Sequence, residues 1–334
     1  MPVLYLVEQG ATLRKKGDTL TVTKNESDLQ VIPASKVDQV VIFGNVNITT
    51  PVIHYLLDEG KDCVFCSSTG RYHGRLFSTE SKYGLLRRAQ FEALADGKIQ
   101  LAIAIEMVRG KLTNQRIFLQ RYQRKAPDDV LGGVIDNMES LLCKLDGADD
   151  IGTLLGLEGY ASSMYFNAFK TVLKQNLGFT RRRRRPPPDP VNSLLSFGYT
   201  LLVYDAQAAV RIVGLDPFLG FLHSTEYSKP SLALDLMEEF RTVVIDSIVL
   251  RLINNNIMGE NDFSKDVDTK GMIRLKDESL RTFIRYYEER MTDEVIHPVF
   301  NTRVTYRRCL ELQARQVARV VTKKQEKYHP FLVK

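Results

Sequence analysis

Long apolar runs are missing from this chain of 334 residues. No stretch approaches the ~18 consecutive apolar residues that a membrane helix needs, so no bilayer span and no membrane partner is expected. The start, MPVLYLVEQGATLRKK, has no basic region ahead of its short apolar run and no small-residue cleavage site. It is expected to be a first strand and not a signal peptide. Cysteine is scarce. Cys63, Cys66, Cys143 and Cys309 are too few and too scattered for a disulfide framework, which fits a reduced, cytoplasmic setting. A glycine-rich phosphate loop is also lacking, which argues against an enzyme of small phosphate esters. No fixed-period repeat of the solenoid kind is found.

What is there is ordinary for a globular protein. Hydrophobic residues make up 44% and charged residues 26%, which excludes wholesale disorder, collagen and a pure coiled coil. At roughly 150 residues per domain the length predicts about two domains. Lys and Arg number 46 against 40 Asp and Glu, a net charge of +6 that points to a polyanionic partner.

Residues 1 to 75 have strand texture. Residues 3–7, 19–23, 29–33 and 39–43 are short β-branched runs bounded by Gly, Asn, Asp or Pro, with hairpin turns at residues 16–18 and 24–28. Residues 49–60 predict one short helix, with a threonine cap, Pro51 near the first turn and Gly60 at the end. Two more strands follow, at residues 62–67 and 72–77. From about Ser81 the period becomes helical: Leu85, Leu86, Ala89, Phe91 and Leu94 recur at three- and four-residue spacing, and almost every later segment to Val321 is expected to be helical. The fold class is therefore α+β: a small N-terminal β-sheet domain over residues 1–78, a linker at 79–85, a larger all-α domain at 86–325, and a tail at 326–334.

Three segments put acids or histidine where a core should be apolar. Glu158 lies in an apolar stretch between Gly156 and Gly159, which weaken a helix by up to ~1 kcal/mol each relative to Ala and leave room for close approach of a ligand. His223, one of only five histidines, ends the apolar loop that runs from Gly214. Residues 230–241 form a helix whose apolar stripe is Leu232, Ala233, Leu236, Met237 and Phe240, with Asp235, Glu238 and Glu239 on the other face. The helical wheel leaves open which acids face a common site. An acidic face is most often a solvated face, and a lone His most often a core residue. If the three segments converge, carboxylates with one imidazole suit Mg²⁺ or Mn²⁺ rather than zinc, and a divalent ion beside a basic surface suits phosphodiester chemistry.

Read in order, LEGYASSMYF, PPPDPVNSLLSFGYTLL, GLDPFLGFLH and KPSLALDLMEEFR resemble the motif series of one family, the CRISPR-associated spacer integrases or Cas-one endonucleases. The stretch Lys111-Leu112-Thr113-Asn114-Gln115 adds to the likeness, which runs over most of the chain. The resemblance implies a metal-dependent DNA endonuclease and integrase that inserts spacers into a CRISPR array. It implies metal ligation by Glu158, His223 and Glu238, with Asp235 beside them as a further catalytic residue. Many members carry Asp where this chain has Glu238; the charge is kept and the longer side chain still reaches. The resemblance also implies double-stranded DNA as partner, a homodimer formed through the N-terminal domain, and a small Cas-two dimer bridged by two such dimers. A basic DNA-binding scaffold without activity is the rival reading.

Arg181, Arg182, Arg183, Arg184 and Arg185 are followed by three prolines and are expected to form an exposed loop that touches DNA phosphates, whereas for Lys111 and Asn114 it is the resemblance to family positions that implies a part in DNA binding. Cys63 and Cys66 have zinc or redox spacing with His54 and His73 on either side. In a strand residues three apart point to opposite faces, so a core role is expected for both. Asp189 or Asn192 is expected to cap the helix that follows.

Overall fold

The computed structural model describes residues 2–68, 72–76, 83–184, 186–266 and 272–333. Strands come first and helices after, the α+β order that the change of period predicts, and the chain divides into two units, Met1–Ser81 and Lys82–Lys334.

The first unit contains β1 (Val3–Leu6), β2 (Thr12–Lys16), β3 (Thr19–Lys24), β4 (Ser27–Pro33), β5 (Gln39–Phe43), β6 (Asn47–Ile48), α1 (Thr50–Asp58), β7 (Asp62–Cys66) and β8 (Tyr72–Leu76). They make two four-stranded sheets, ordered β1-β5-β7-β8 and β4-β3-β2-β6. The β3–β4 turn places Asn25 and Glu26 at φ 48° and 65°, the left-handed pair whose twist matches a hairpin. β5, parallel to both its neighbours, is buried at every position, as a strand covered on both faces must be. Helix α1 packs against β2 and β7, and Val52 and Leu56 join Leu13, Leu20, Val40 and Cys63 in one core. Thr49 precedes α1, yet its hydroxyl donates to the Leu13 carbonyl (3.3 Å) instead of capping the helix. Cys63 and Cys66 are both buried, and burial pushes the Cys63 thiol up to about 12, so it stays protonated at neutral pH. β4 is an edge strand, exposed at all positions but Ile32, with Leu29 and Val31 open to solvent.

The second unit contains α2 (Gly84–Ala95), α3 (Gly97–Lys125), α4 (Asp129–Lys144), α5 (Ile151–Phe169), α6 (Pro190–Val213), α7 (Ser231–Phe240), a π-helical turn (Arg241–Asp246) and α8 (Ser247–Asn254). α9 (Asp277–Thr292) and α10 (Tyr306–Val321) follow, each preceded by a short antiparallel hairpin: β9 (Phe263–Asp266) with β10 (Met272–Leu275), then β11 (Glu294–Ile296) with β12 (Arg303–Thr305). The two hairpins are strands that the expectation of an all-α second domain does not include; strands of three or four residues are too short to set a period. Among the described residues no helix is long and apolar enough to cross a membrane.

Helix α3 is the central element. Asp96 caps it by accepting the Lys98 amide (2.9 Å), and α4, α5 and α7 pack along its length. α6 begins at Pro190 with Asp189 as cap, accepting from the Asn192 amide (2.8 Å), and stops at Gly214, whose φ of 93° is the left-handed end that glycine permits. α7 lies between α3, α6 and α10, and every residue in it but Leu234 is buried. The end of the chain also packs inward: Tyr328 and Phe331 are buried, and Phe331 stacks on Phe240 at 4.8 Å between centroids.

Candidate functional site

Burial of α7 on all sides brings its acids into the core, whereas an acidic helix face is most often a solvated one. Each of the three has a different task. Glu238 is 4% exposed, and its Oε1 pairs with the guanidinium of Arg241 at 2.8 Å. Its Oε2 lies 2.7 Å from the ammonium of Lys111 on α3. Lys111 also contacts Oε1 of Glu158 on α5, an oxygen that accepts the Ser162 hydroxyl as well (2.8 Å). Glu158, Lys111, Glu238 and Arg241 thus form an alternating chain of charge across α5, α3 and α7 into the π-helical turn. Burial works to raise the Glu238 carboxyl, but the cationic neighbours Arg241 and Lys111, with His223 beyond them, outweigh it and hold the group at about 2. Glu238 is therefore a carboxylate at any physiological pH.

Asp235, one turn earlier on α7, accepts the backbone N–H groups of Phe221 (2.6 Å), Leu222 (3.0 Å) and His223 (2.9 Å). Its Oδ1 also holds the Nδ1 of His223 at 2.7 Å. The end of the loop that runs from Gly214 is thus folded around this one carboxylate, while Gln90 holds its earlier part at Asp216 and Leu219. Gly220 makes the approach possible, since a Cβ there would stand 2.6 Å from the Ser231 Cβ and 2.8 Å from Asp235 Oδ2. The clasp at Nδ1 fixes the ring and leaves Nε2 open, the arrangement by which a second carboxylate orients a metal-binding histidine. Asp235 is thus a positioning residue. Asp235→Asn puts an amide N–H₂ against donors and is expected to destabilise the protein by about 2 kcal/mol in urea unfolding. A loss below ~0.5 kcal/mol, the level of an ordinary surface substitution, would show the clasp to be dispensable.

Glu239 points away from the other two. It receives Tyr328 Oη (2.6 Å), the Phe331 amide (2.6 Å) and Gln313 Nε2 (2.9 Å), and burial pushes its carboxyl up to about 8. It anchors the final segment of the chain. Asn114 does the same and is not at a DNA-facing surface: fully buried, it donates to the carbonyls of Glu239 and Phe331 (2.8 Å each) and accepts from the Val333 amide. Lys111, to which the resemblance likewise gives a part in DNA binding, is only 5% exposed.

The arginine run is not the free loop that composition predicts. Arg182 turns inward, donating to Asn192 Oδ1 (2.9 Å) and Ser196 Oγ (3.1 Å) over the Tyr199 ring, and burial lowers its guanidinium to about 10. Asn192 pins the segment further by accepting the Arg183 amide and donating to the Arg181 carbonyl. Arg181, Arg183 and Arg184 are exposed; Arg185 lies outside the described residues. Arg241 and Asp246, which sequence reasoning passed over, frame the site from the π-helical turn. Asp246 receives the hydroxyls of Tyr165 (2.7 Å) and Tyr199 (2.6 Å), so both tyrosines are core residues with satisfied hydroxyls.

Among the described residues no three His, Cys, Asp or Glu side chains stand close enough together to hold an ion. The structure joins Glu158 and Glu238 through one ammonium and does not gather His223 around the same point. The donor set itself suits a hard divalent cation: two carboxylates on one cation, and an imidazole whose Nδ1 is held by a third carboxylate. A cavity of about 350 Å³ opens beside His223, lined by Ile151, Leu155, Leu222, Ser224 and Thr225 among others.

Over residues 4–289 the chain matches the model of a family described as CRISPR associated protein Cas1. It is similar to CRISPR-associated endonuclease Cas1 3 of Thermus thermophilus, 37% identical over 334 residues that cover 99% of this chain and 97% of the relative. Among solved structures it resembles a casposase bound to integration product, with a TM-score of 0.86, 25% identity, and coverage of 98% of this chain and 93% of that one. It also resembles a chain of the Cas6-RT-Cas1–Cas2 complex, with a TM-score of 0.87 and 27% identity. All of this chain is covered there, but only 36% of that longer one.

Proposed function

The chain belongs to the CRISPR-associated Cas1 family, and from that premise we propose that it is a metal-dependent DNA endonuclease and integrase that inserts spacers into a CRISPR array. The observation that carries this reading is the meeting of Glu158 and Glu238, from separate helices, on a single cation, with His223 held by Asp235 from the same helix as Glu238. Glu158, Glu238 and Nε2 of His223 would hold Mg²⁺ or Mn²⁺. The ion, when bound, supplies Lewis-acid polarisation of a phosphate oxygen and neutralises charge that develops on the attacking and leaving oxygens. The protein's own residues do the rest. Glu238 stays ionised, Asp235 keeps the His223 ring in one orientation, and Arg241 fixes the Glu238 carboxylate from the far side.

In the joining step a 3′-hydroxyl of the incoming DNA attacks a phosphodiester at the repeat edge. One P–O bond forms as another breaks, and the leaving 3′-oxygen takes up a proton. Water in place of the hydroxyl gives nuclease activity at the same site. Exposed Arg181, Arg183 and Arg184 are suited to contact phosphates of double-stranded DNA, as the net charge of +6 favours. The likeness to a casposase bound to integration product supports DNA as substrate, and the likeness to a chain of a Cas6-RT-Cas1–Cas2 complex supports Cas2 as partner. The open β4 edge, with Leu29 and Val31 exposed, supports a homodimer formed through the first unit.

One assay tests the proposal. The protein, a Cas2 partner, a short duplex with free 3′ ends and a supercoiled plasmid carrying leader and repeat are mixed, and joined products are scored. Joining with Mg²⁺ or Mn²⁺ and none in a chelator is expected. DNA binding without joining or cleavage under any divalent ion would leave a scaffold in place of an enzyme.

A further inference from the structure

Resting on that functional reading, we propose that Lys111 is a built-in counter-cation: it holds Glu158 and Glu238 together when no metal is bound, and a divalent ion must displace its ammonium to bind. The argument begins with charge. Two carboxylates from different helices share one cation, Glu238 4% exposed and Glu158 19% exposed at the side chain, and the ammonium between them offsets the repulsion of two like charges where one is out of water. Lys111 supplies that cation at 2.7 Å from Glu238 Oε2 and in direct contact with Glu158. With Arg241 on the other Glu238 oxygen, the four groups carry two positive and two negative charges. Adding a dication while both cations stay would leave a surplus of two positive charges in a buried cluster. The oxygens an ion would take are the ones the ammonium holds.

Packing decides which cation moves. The backbone at Lys111 is fixed: Gly110 is so close to α7 that a Cβ there would lie 2.9 Å from Glu239 Cγ and 2.7 Å from Pro330 Cβ, and Asn114 bonds to α7 one turn later. The four-carbon stem of Lys111 can change rotamer without moving that backbone, and its ammonium, unlike a guanidinium, has no planar fork to lose. Arg241 is locked beneath the Tyr199 ring at 4.6 Å and cannot withdraw as easily. Lys111 is therefore the group that leaves. Its freed ammonium then stands beside the bound ion, in position for a phosphate oxygen of DNA.

The ammonium and the ion compete, so each weakens the other's hold on the carboxylates by the same factor. Mn²⁺ binding to the whole protein is measured by electron paramagnetic resonance titration for wild type and Lys111→Met. The variant is expected to bind Mn²⁺ roughly tenfold more tightly, within the usual range of coupling between two sites. Because a buried lysine variant can fail to fold, a second measurement uses the wild type alone. Acylation of Lys111, followed by mass spectrometry, is expected to be slow in a chelator and several-fold faster with saturating Mg²⁺. Mn²⁺ bound by the wild type with unchanged or slower Lys111 acylation would overturn the displacement while leaving the metal site standing. No Mn²⁺ bound by the wild type would overturn both.

Discussion

Replacing Glu158 by Gln is expected to reduce divalent-ion-dependent joining of a DNA 3′ end by about a thousand-fold, the scale of ~4 kcal/mol of transition-state stabilisation. Gln keeps the length and can still accept from Ser162, but it cannot neutralise a dication. Hydrolysis by water should fall in the same proportion, since both reactions use the one site. The fold should hardly notice. Glu158 is partly exposed, with 19% of its side chain in solvent, and Lys111 retains Glu238 as partner. Melting temperature within a few degrees of wild type, with unchanged affinity for duplex DNA, separates a lost ligand from a lost structure. Joining within tenfold of wild type would remove Glu158 from the site.

The order of strands and helices was legible because apolar periods of two and of about 3.6 survive averaging over many residues. The candidate residues Glu158 and His223 were legible because each breaks an apolar stretch. The arrangement of α7 was not. A helical wheel assumes solvent on one side, and α7 has α3, α6 and α10 around it, so Asp235, Glu238 and Glu239 all point into protein and are balanced there by donors from other segments. Local spacing holds no trace of those partners: Lys111 lies more than a hundred residues before Glu238, and Tyr328 nearly ninety after Glu239. Composition misled in the same way at Arg182. Its neighbours are solvated, but the ring of Tyr199 and the side chains of Asn192 and Ser196 make a dry seat for one guanidinium. The π-helical turn after α7 has no sequence signature at all, yet it aims Arg241 at Glu238 and Asp246 at two tyrosines.

The largest effect on stability is expected at Arg307, far from the chemistry. Its guanidinium, 4% exposed, forks onto Asp205 of α6 (2.9 and 3.3 Å) and onto Glu288 of α9 (3.1 and 2.5 Å), and so ties three helices through one planar group. Asp205 is itself 4% exposed and otherwise receives the Tyr287 hydroxyl (2.5 Å). Arg307→Met keeps most of the volume and removes the charge, which leaves Asp205 ionised in a dry interior or forces it to take a proton. Either costs about 3–5 kcal/mol, a large share of the 5–15 kcal/mol that holds a typical domain together. The double variant Arg307→Met with Asp205→Asn tells the cause. If the penalty is the orphaned carboxylate, the second substitution should recover half or more of the loss in urea or thermal unfolding, a coupling that additive sites do not show. If the penalty is lost packing of the arginine stem, the double variant will be no more stable than the single. A single-variant loss under ~1 kcal/mol would mean that water reaches Asp205 and that the three helices do not depend on this tie.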